Sequence, residues 1–191
     1  MLEQIIKDIN GKIEKLNIFE RLFGLCEFVE KEGAVYPYEY QANGQFKPTT
    51  NFDFQRGLVY HRETNPFNER TSDKFDNQRN IITRTYFVRT VAVFPRNIIK
   101  TDNKYSVDNV RSLLSFSIDD PITSPMAKNL GAYGVEINVT SGSMNRIDIL
   151  ETEFNGIPKV LNEKFGAVAI EYDVEVTIKK ECLLTSVPNC D

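Results

Sequence analysis

His61 is the sole histidine of the 191-residue chain, and Glu63 stands two positions after it. Residues two apart share a face of extended chain, so an imidazole and a carboxylate placed this way could divide acid and base work. One histidine excludes a multi-histidine metal centre, and no nucleophile is spaced to complete a triad. A loop or strand-end histidine is the plainer reading. Asp119-Asp120, ahead of Pro121, form a second acidic pair. Adjacent carboxylates can hold Mg²⁺, but Asx residues before proline also simply form turns. A metal-dependent hydrolase built on Asp119, Asp120 and His61 would need further converging carboxylates and a lysine, a set this sequence does not assemble. It contains no G-x-G-x-x-G, no phosphate-binding P-loop and no G-x-S-x-G. No catalytic residue, metal or cofactor is therefore expected.

Glu171, Asp173 and Glu175 make a third set, inside AVAIEYDVEVTIKK at residues 167–180. The alternation places three carboxylates on one strand face, about 6.6 Å apart. There they are either solvated or matched by cations, and arginine is the planar, bidentate partner for a carboxylate. Arg79, Arg84, Arg89 and Arg96 lie in a basic middle segment. Residues 56–111 carry a net +5 and the remainder −9, within a total of −4. These arginines stand singly among β-forming residues, with no helix-turn-helix and no aromatic RNA-binding motif. Pairing across subunits or within the chain is expected ahead of specific DNA reading. Non-specific contact with DNA in a channel is compatible with them.

Several elements must position these groups. Leu2, Ile5, Ile6, Ile9, Ile13 and Leu16 recur at helical spacing, so residues 1–17 read as an N-terminal amphipathic helix. Strand and turn signals follow, with Glu32-Gly33 and Asn43-Gly44 as hairpin dipeptides. Residues 61–80, HRETNPFNERTSDKFDNQRN, lack periodicity and read as a long polar loop or arm, with Phe67 and Phe75 as its anchors. Residues 81–94 form a strand ended by Pro95. A helix opens at Ser106 as N-cap. Residues 132–140 read as a strand, SGSMN as a turn, and residues 146–166 as one or two short helices before the final strand. The expected fold is a single α+β domain over residues 1–191: an antiparallel sheet with a long C-terminal strand and helices packed on one face. That last strand, at ~3.3 Å per residue, spans about 36–40 Å. It is expected to outreach its own sheet and to be completed by a neighbour.

The totals fit such a domain. Apolar residues make up 41% and charged residues 26%, with no tryptophan. No stretch approaches the roughly 20 apolar residues of a membrane span. The N-terminus lacks the continuous apolar core of a signal peptide. Cys26, Cys182 and Cys190 have no metal-like spacing and read as free thiols in a reducing, cytoplasmic setting. Tyr36, Tyr38, Tyr40 and Tyr60 could line a groove, which supports an alternative: a monomeric module binding a small molecule or carbohydrate.

LCEFVEKEGAVYPYEYQANGQF followed by GLVYHRE resembles the small neck and tail-terminator proteins of tailed bacteriophages, above all those of crAss-like phages of Bacteroidetes. The shared pattern is an amphipathic N-terminal helix, a hairpin with a Tyr-Pro strand and an Asn-Gly turn, a sheet, an intervening helix and a final extended strand. The resemblance implies a structural virion protein. Six or twelve copies would form a ring at the head-tail connection or tail terminus, beside portal, neck or tail proteins, with DNA in the lumen. Assembly would use Glu171, Asp173 and Glu175 against Arg84 and Arg89 of a neighbour, with Phe67 and Phe75 on the docking arm.

Overall fold

The computed structural model describes residues 1–41, 44–50, 53, 55–71, 81–99, 106–119, 132–156 and 163–179. Along the chain they form α1 (Leu2–Lys15), β1 (Arg21–Lys31), β2 (Ala34–Tyr40), β3 (Phe46–Pro48), β4 (Leu58–Thr71) and β5 (Ile81–Pro95). A short 3₁₀ turn (Arg96–Ile99), α2 (Val107–Asp119), β6 (Ala132–Ser143), α3 (Arg146–Glu153) and β7 (Phe165–Lys179) complete the order. The strands build one seven-stranded sheet in the order β3-β2-β1-β4-β5-β7-β6. Every pairing is antiparallel except β1 with β4. The fold is therefore α+β, as the element pattern implies.

α1 forms because its apolar residues recur on one stripe, burying Leu2, Ile5, Ile6, Ile9 and Ile13. Each such side chain contributes about 1.5–3 kcal/mol when fully removed from water. The β1–β2 hairpin turns at Glu32 and Gly33, both at positive φ (56° and 76°). That is the geometry a two-residue hairpin prefers, because it matches the twist of the flanking strands. Ser106 caps α2, its hydroxyl accepting from the Asn109 N–H at 3.2 Å.

The even residues of β5 and β7 (Tyr86, Val88, Ala92, Phe94; Val168 to Ile178) share one core with α1 and α2. The odd residues nearer the other end (Val91, Val93, Ala167, Ala169) share a second core with Ile149, Leu150 and Phe154. Two helices thus lie on the expected face, and α3 corrects the expectation by packing on the opposite one. Alternating side chains explain it: the apolar odd positions also need cover, and α3 carries the apolar stripe that supplies it.

Three further expectations are corrected. Residues 61–71 are strand, not loop: β4 pairs with β5 from Leu58↔Val93 to Thr71↔Ile82, with register shifts between Glu63 and Asn68. The neighbouring apolar strand, not local propensity, holds this polar stretch extended. Residues 72–80, Phe75 and Arg79 included, lie outside the described residues. The final strand does not outreach its sheet. All fifteen residues of β7 pair with β5, from Phe165↔Pro95 to Lys179↔Ile81. Its other edge pairs with β6 from Ala169↔Ser143 to Ile178↔Ala132. Ser141–Ser143, read as part of a turn, closes β6.

Candidate functional site: the half-covered sheet face

Alternation along β5 and β7 places Arg89, Glu171, Asp173 and Glu175 on the α3 face. Arg84, five residues from Arg89, falls on the opposite face. There its Nε donates to Glu69 at 2.8 Å and its guanidinium lies 5.4 Å from the Phe67 ring centroid. Phe67 is half exposed and packs against Tyr86, with centroids 5.6 Å apart. The two arginines expected to meet a neighbour's acids together are thus on different sides of the sheet, and each has an acid partner in its own chain.

Arg89 sits at the centre of an ion network. Its Nη1 donates to Glu171 Oε1 at 2.8 Å, and its Nε lies 3.1 Å from Glu153 Oε1. Arg62 grips the same Glu153 carboxylate with Nε and Nη2 at 2.9–3.3 Å, and the Tyr60 hydroxyl donates to Oε2 at 2.7 Å. Glu153 and Tyr60 are fully buried. Burial first, and Glu153 next, push the Tyr60 phenol well above its usual range. Ser141 donates to the free oxygen of Glu171 at 3.1 Å. Sequence reasoning missed Glu153, although the signal was present. It falls on the same helical stripe as Ile149, Leu150 and Phe154, and a carboxylate on an apolar stripe calls for buried partners.

Beyond the Arg89–Glu171 rung no helix of the described residues covers the α3 face. Phe87 stands opposite Asp173, and Thr85 opposite Glu175. On the outer side Asn138 faces Asp173 and Glu136 faces Glu175. Like charges directly opposed across a strand pair weaken it, so Glu136 and Glu175 gain from a cation placed over them.

The other singled-out residues fall elsewhere. His61 is fully buried beneath α1. Asn10 Oδ1 can only accept, so His61 Nε2–H donates to it at 2.9 Å. The Thr90 hydroxyl, 2.6 Å from Nδ1, then donates to the ring. Asn10 Nδ2 donates in turn to the Phe23 carbonyl at 2.9 Å. Burial lowers the imidazole pKa to about 3. A neutral histidine with its nitrogens engaged by Asn10 and Thr90 holds α1 to the sheet, and neither nitrogen is left for Glu63. Asp119 ends α2, Asp120 lies outside the described residues, and no group of three or more metal-ligating side chains occurs among those described. Cys26 is a buried free thiol whose pKa burial pushes up; Cys182 and Cys190 lie outside the described residues. Tyr60 is in the core, so the four tyrosines do not line one groove.

A cleft of about 670 Å³ with a mixed polar and apolar lining opens between α1, β1, β2 and β4, with Lys7, Glu39, Arg62 and Glu63 among its walls. Partial burial, and then Glu27, raise the Glu63 pKa. No described helix is long and apolar enough to cross a membrane. A comparison with models of known protein families finds no match, and a comparison with curated proteins finds none either.

Proposed function

We propose that this chain is a non-enzymatic structural protein of a tailed bacteriophage, closing into a ring of six or twelve copies in the neck or tail, with DNA passing through the lumen. The half-covered sheet carries this reading. β5, β6 and β7 run for 15, 12 and 15 residues, yet α3 covers only the end of their face near Val91, Val93, Ala167 and Ala169. β7 does not depend on a neighbour for its pairing, since β5 pairs its full length and β6 pairs residues 169–178. Among the described residues no helix covers the rest of the face, and a repeating neighbour supplies a cover. The resemblance of the β1–β2 region to neck and tail-terminator proteins gives that neighbour its setting.

Light scattering coupled to size-exclusion chromatography, with negative-stain imaging, tests the reading. Annular particles of six or twelve copies are the expected result. A chain that stays monomeric at millimolar concentration, alone and with a portal or tail partner, removes it. The cleft between α1 and β4 favours a second reading, a small-molecule or carbohydrate binder. A binder is stabilised by ligand as RT ln(1 + [L]/Kd), so a thermal-shift screen separates the two.

A further inference from the structure

We infer that successive copies join by seating Phe116 and the groove between α1 and α2 of one molecule on the acidic β5–β7–β6 face of the next. The inference rests on the ring reading above and names the surfaces that make the ring.

Phe116 is the most exposed large apolar side chain described, at 73%. It borders a shallow groove of about 540 Å³ formed with Leu16 and Leu113, flanked by Lys12 and Lys15 on the last turns of α1. Ser117 and Asp119 complete the lining. A lone surface phenylalanine needs no explanation, but one beside a groove with two ammonium groups has the composition of an anchor in a charged rim.

The acidic face offers the complement. Asp173, Glu175 and Glu136 are neighbours on β7 and β6, and Phe87 lies beside Asp173 on the same face. Seating Phe116 against Phe87 brings Lys12 and Lys15 over carboxylates that repel one another in the isolated chain. Asp119, the one acid in the groove, is repelled by the same row and keeps the acids at the lysine end. Glu171 is excluded from the contact, because Arg89 already engages it.

Topology decides between a dimer and a ring. The groove lies on the side of the sheet covered by α1 and α2, and the acidic row lies on the opposite side. Joining two different surfaces on opposite sides leaves one of each free, so the contact repeats head to tail, and it closes into a ring when the rotation between copies is a whole fraction of a turn. A two-fold contact would instead use one surface twice.

The test uses three variants of the full chain: Lys12→Glu/Lys15→Glu, Glu136→Lys/Glu175→Lys, and Phe116→Ser. Each is followed by light scattering, with urea unfolding to establish that the variant is folded. Wild-type chains form rings, and each variant alone is monomeric at concentrations at least tenfold above the wild-type assembly midpoint. The two charge variants mixed in equal amounts assemble again, in even-numbered alternating rings, because each now carries one sign on both surfaces. Charge variants that assemble alone as the wild type does overturn this contact and leave the ring reading standing. A mixture that stays monomeric, with both variants unfolding like the wild type, also overturns it. A monomeric wild type removes both readings together.

Discussion

Arg89 and Glu171 stand directly opposite each other on β5 and β7, and the guanidinium Nη1 donates to the carboxylate at 2.8 Å. Of the two pairings the sequence leaves open, across subunits or within the chain, this pair takes the second. The same guanidinium reaches the buried Glu153, so it links the half of the face under α3 to the half that no described helix covers. Charge reversal at Glu171 therefore tests the fold, and reversal at Glu136 and Glu175 tests assembly.

The two acids on Arg89 differ in weight. Glu153 has a fully buried side chain, while that of Glu171 is 43% exposed. Removing one member of a buried ionic group leaves uncompensated charge and costs about 3–5 kcal/mol. An exposed pair contributes about 0.2–1 kcal/mol. Glu153→Ala, which strands Arg62 and leaves Arg89 with Glu171 as its remaining acid, is expected to destabilise in the first range and Glu171→Ala in the second. Urea unfolding of both measures the difference. Equal costs would show that the network is solvated throughout.

Tyr60 belongs to the same group through its hydroxyl. Tyr60→Phe removes a hydrogen bond to a buried carboxylate, which costs about 1.5–3 kcal/mol. Because Glu153 is the acceptor at 2.7 Å, the effects of Tyr60→Phe and Glu153→Gln are expected to be non-additive by at least 0.5 kcal/mol or so. A double-mutant cycle reads this directly, and strict additivity would place the Tyr60 hydroxyl outside the network.

His61 confers a dependence on acid. Its folded pKa, about 3, lies below the ordinary 6.5. The unfolded chain therefore binds more protons between those values, and stability falls as pH drops through that window. Each pH unit inside it removes up to about 1.4 kcal/mol, so roughly 3 kcal/mol is lost by pH 4. His61→Gln keeps a polar side chain near Asn10 and Thr90 but cannot titrate. It is expected to lose stability at pH 7 and to show a shallower decline between pH 6.5 and 4. Parallel pH profiles for variant and wild type would place the acid sensitivity elsewhere.

Where local and tertiary preferences agree, the fold is legible from the residues. The five buried apolar residues of α1, Ser106 at the start of α2 and Glu32-Gly33 between β1 and β2 each carry a local signal that the packing reinforces. Residues 61–71 show the opposite case. Their polar side chains give no alternation, and only the β5 partner makes them a strand. The candidate site divides in the same way. Parity along β7 correctly groups Glu171, Asp173 and Glu175 on one face. The same alternation along residues 81–94 puts Arg84 and Arg89, five apart, on opposite faces, so pairing both with one acidic row overlooked a signal that was present. The fate of Glu171 depends on the register with β5, which the sequence of β7 alone does not contain.

The same glycine-to-alanine change is expected to act with opposite signs at two sites. Gly11 lies inside α1 with nothing within 4 Å of an added Cβ. Alanine there reduces the entropy lost on forming the helix, and Gly11→Ala is expected to stabilise by about 0.5–1 kcal/mol. Gly57, just before β4, has φ +145°, and an added Cβ would meet the Val93 carbonyl at 2.9 Å and Phe19 and Phe94 at 3.0–3.1 Å. Its carbonyl also accepts from the N–H groups of Glu20 and Arg21, at 3.0 and 3.2 Å. These bonds tie the start of β1 to the start of β4, and with it the parallel step of the sheet. Gly57→Ala strains this junction from both sides and is expected to cost about 1–3 kcal/mol. Thermal melts of the two variants measure the pair. A Gly57→Ala protein as stable as wild type would mean that β1 and β4 are held by their side chains and not by this close backbone approach.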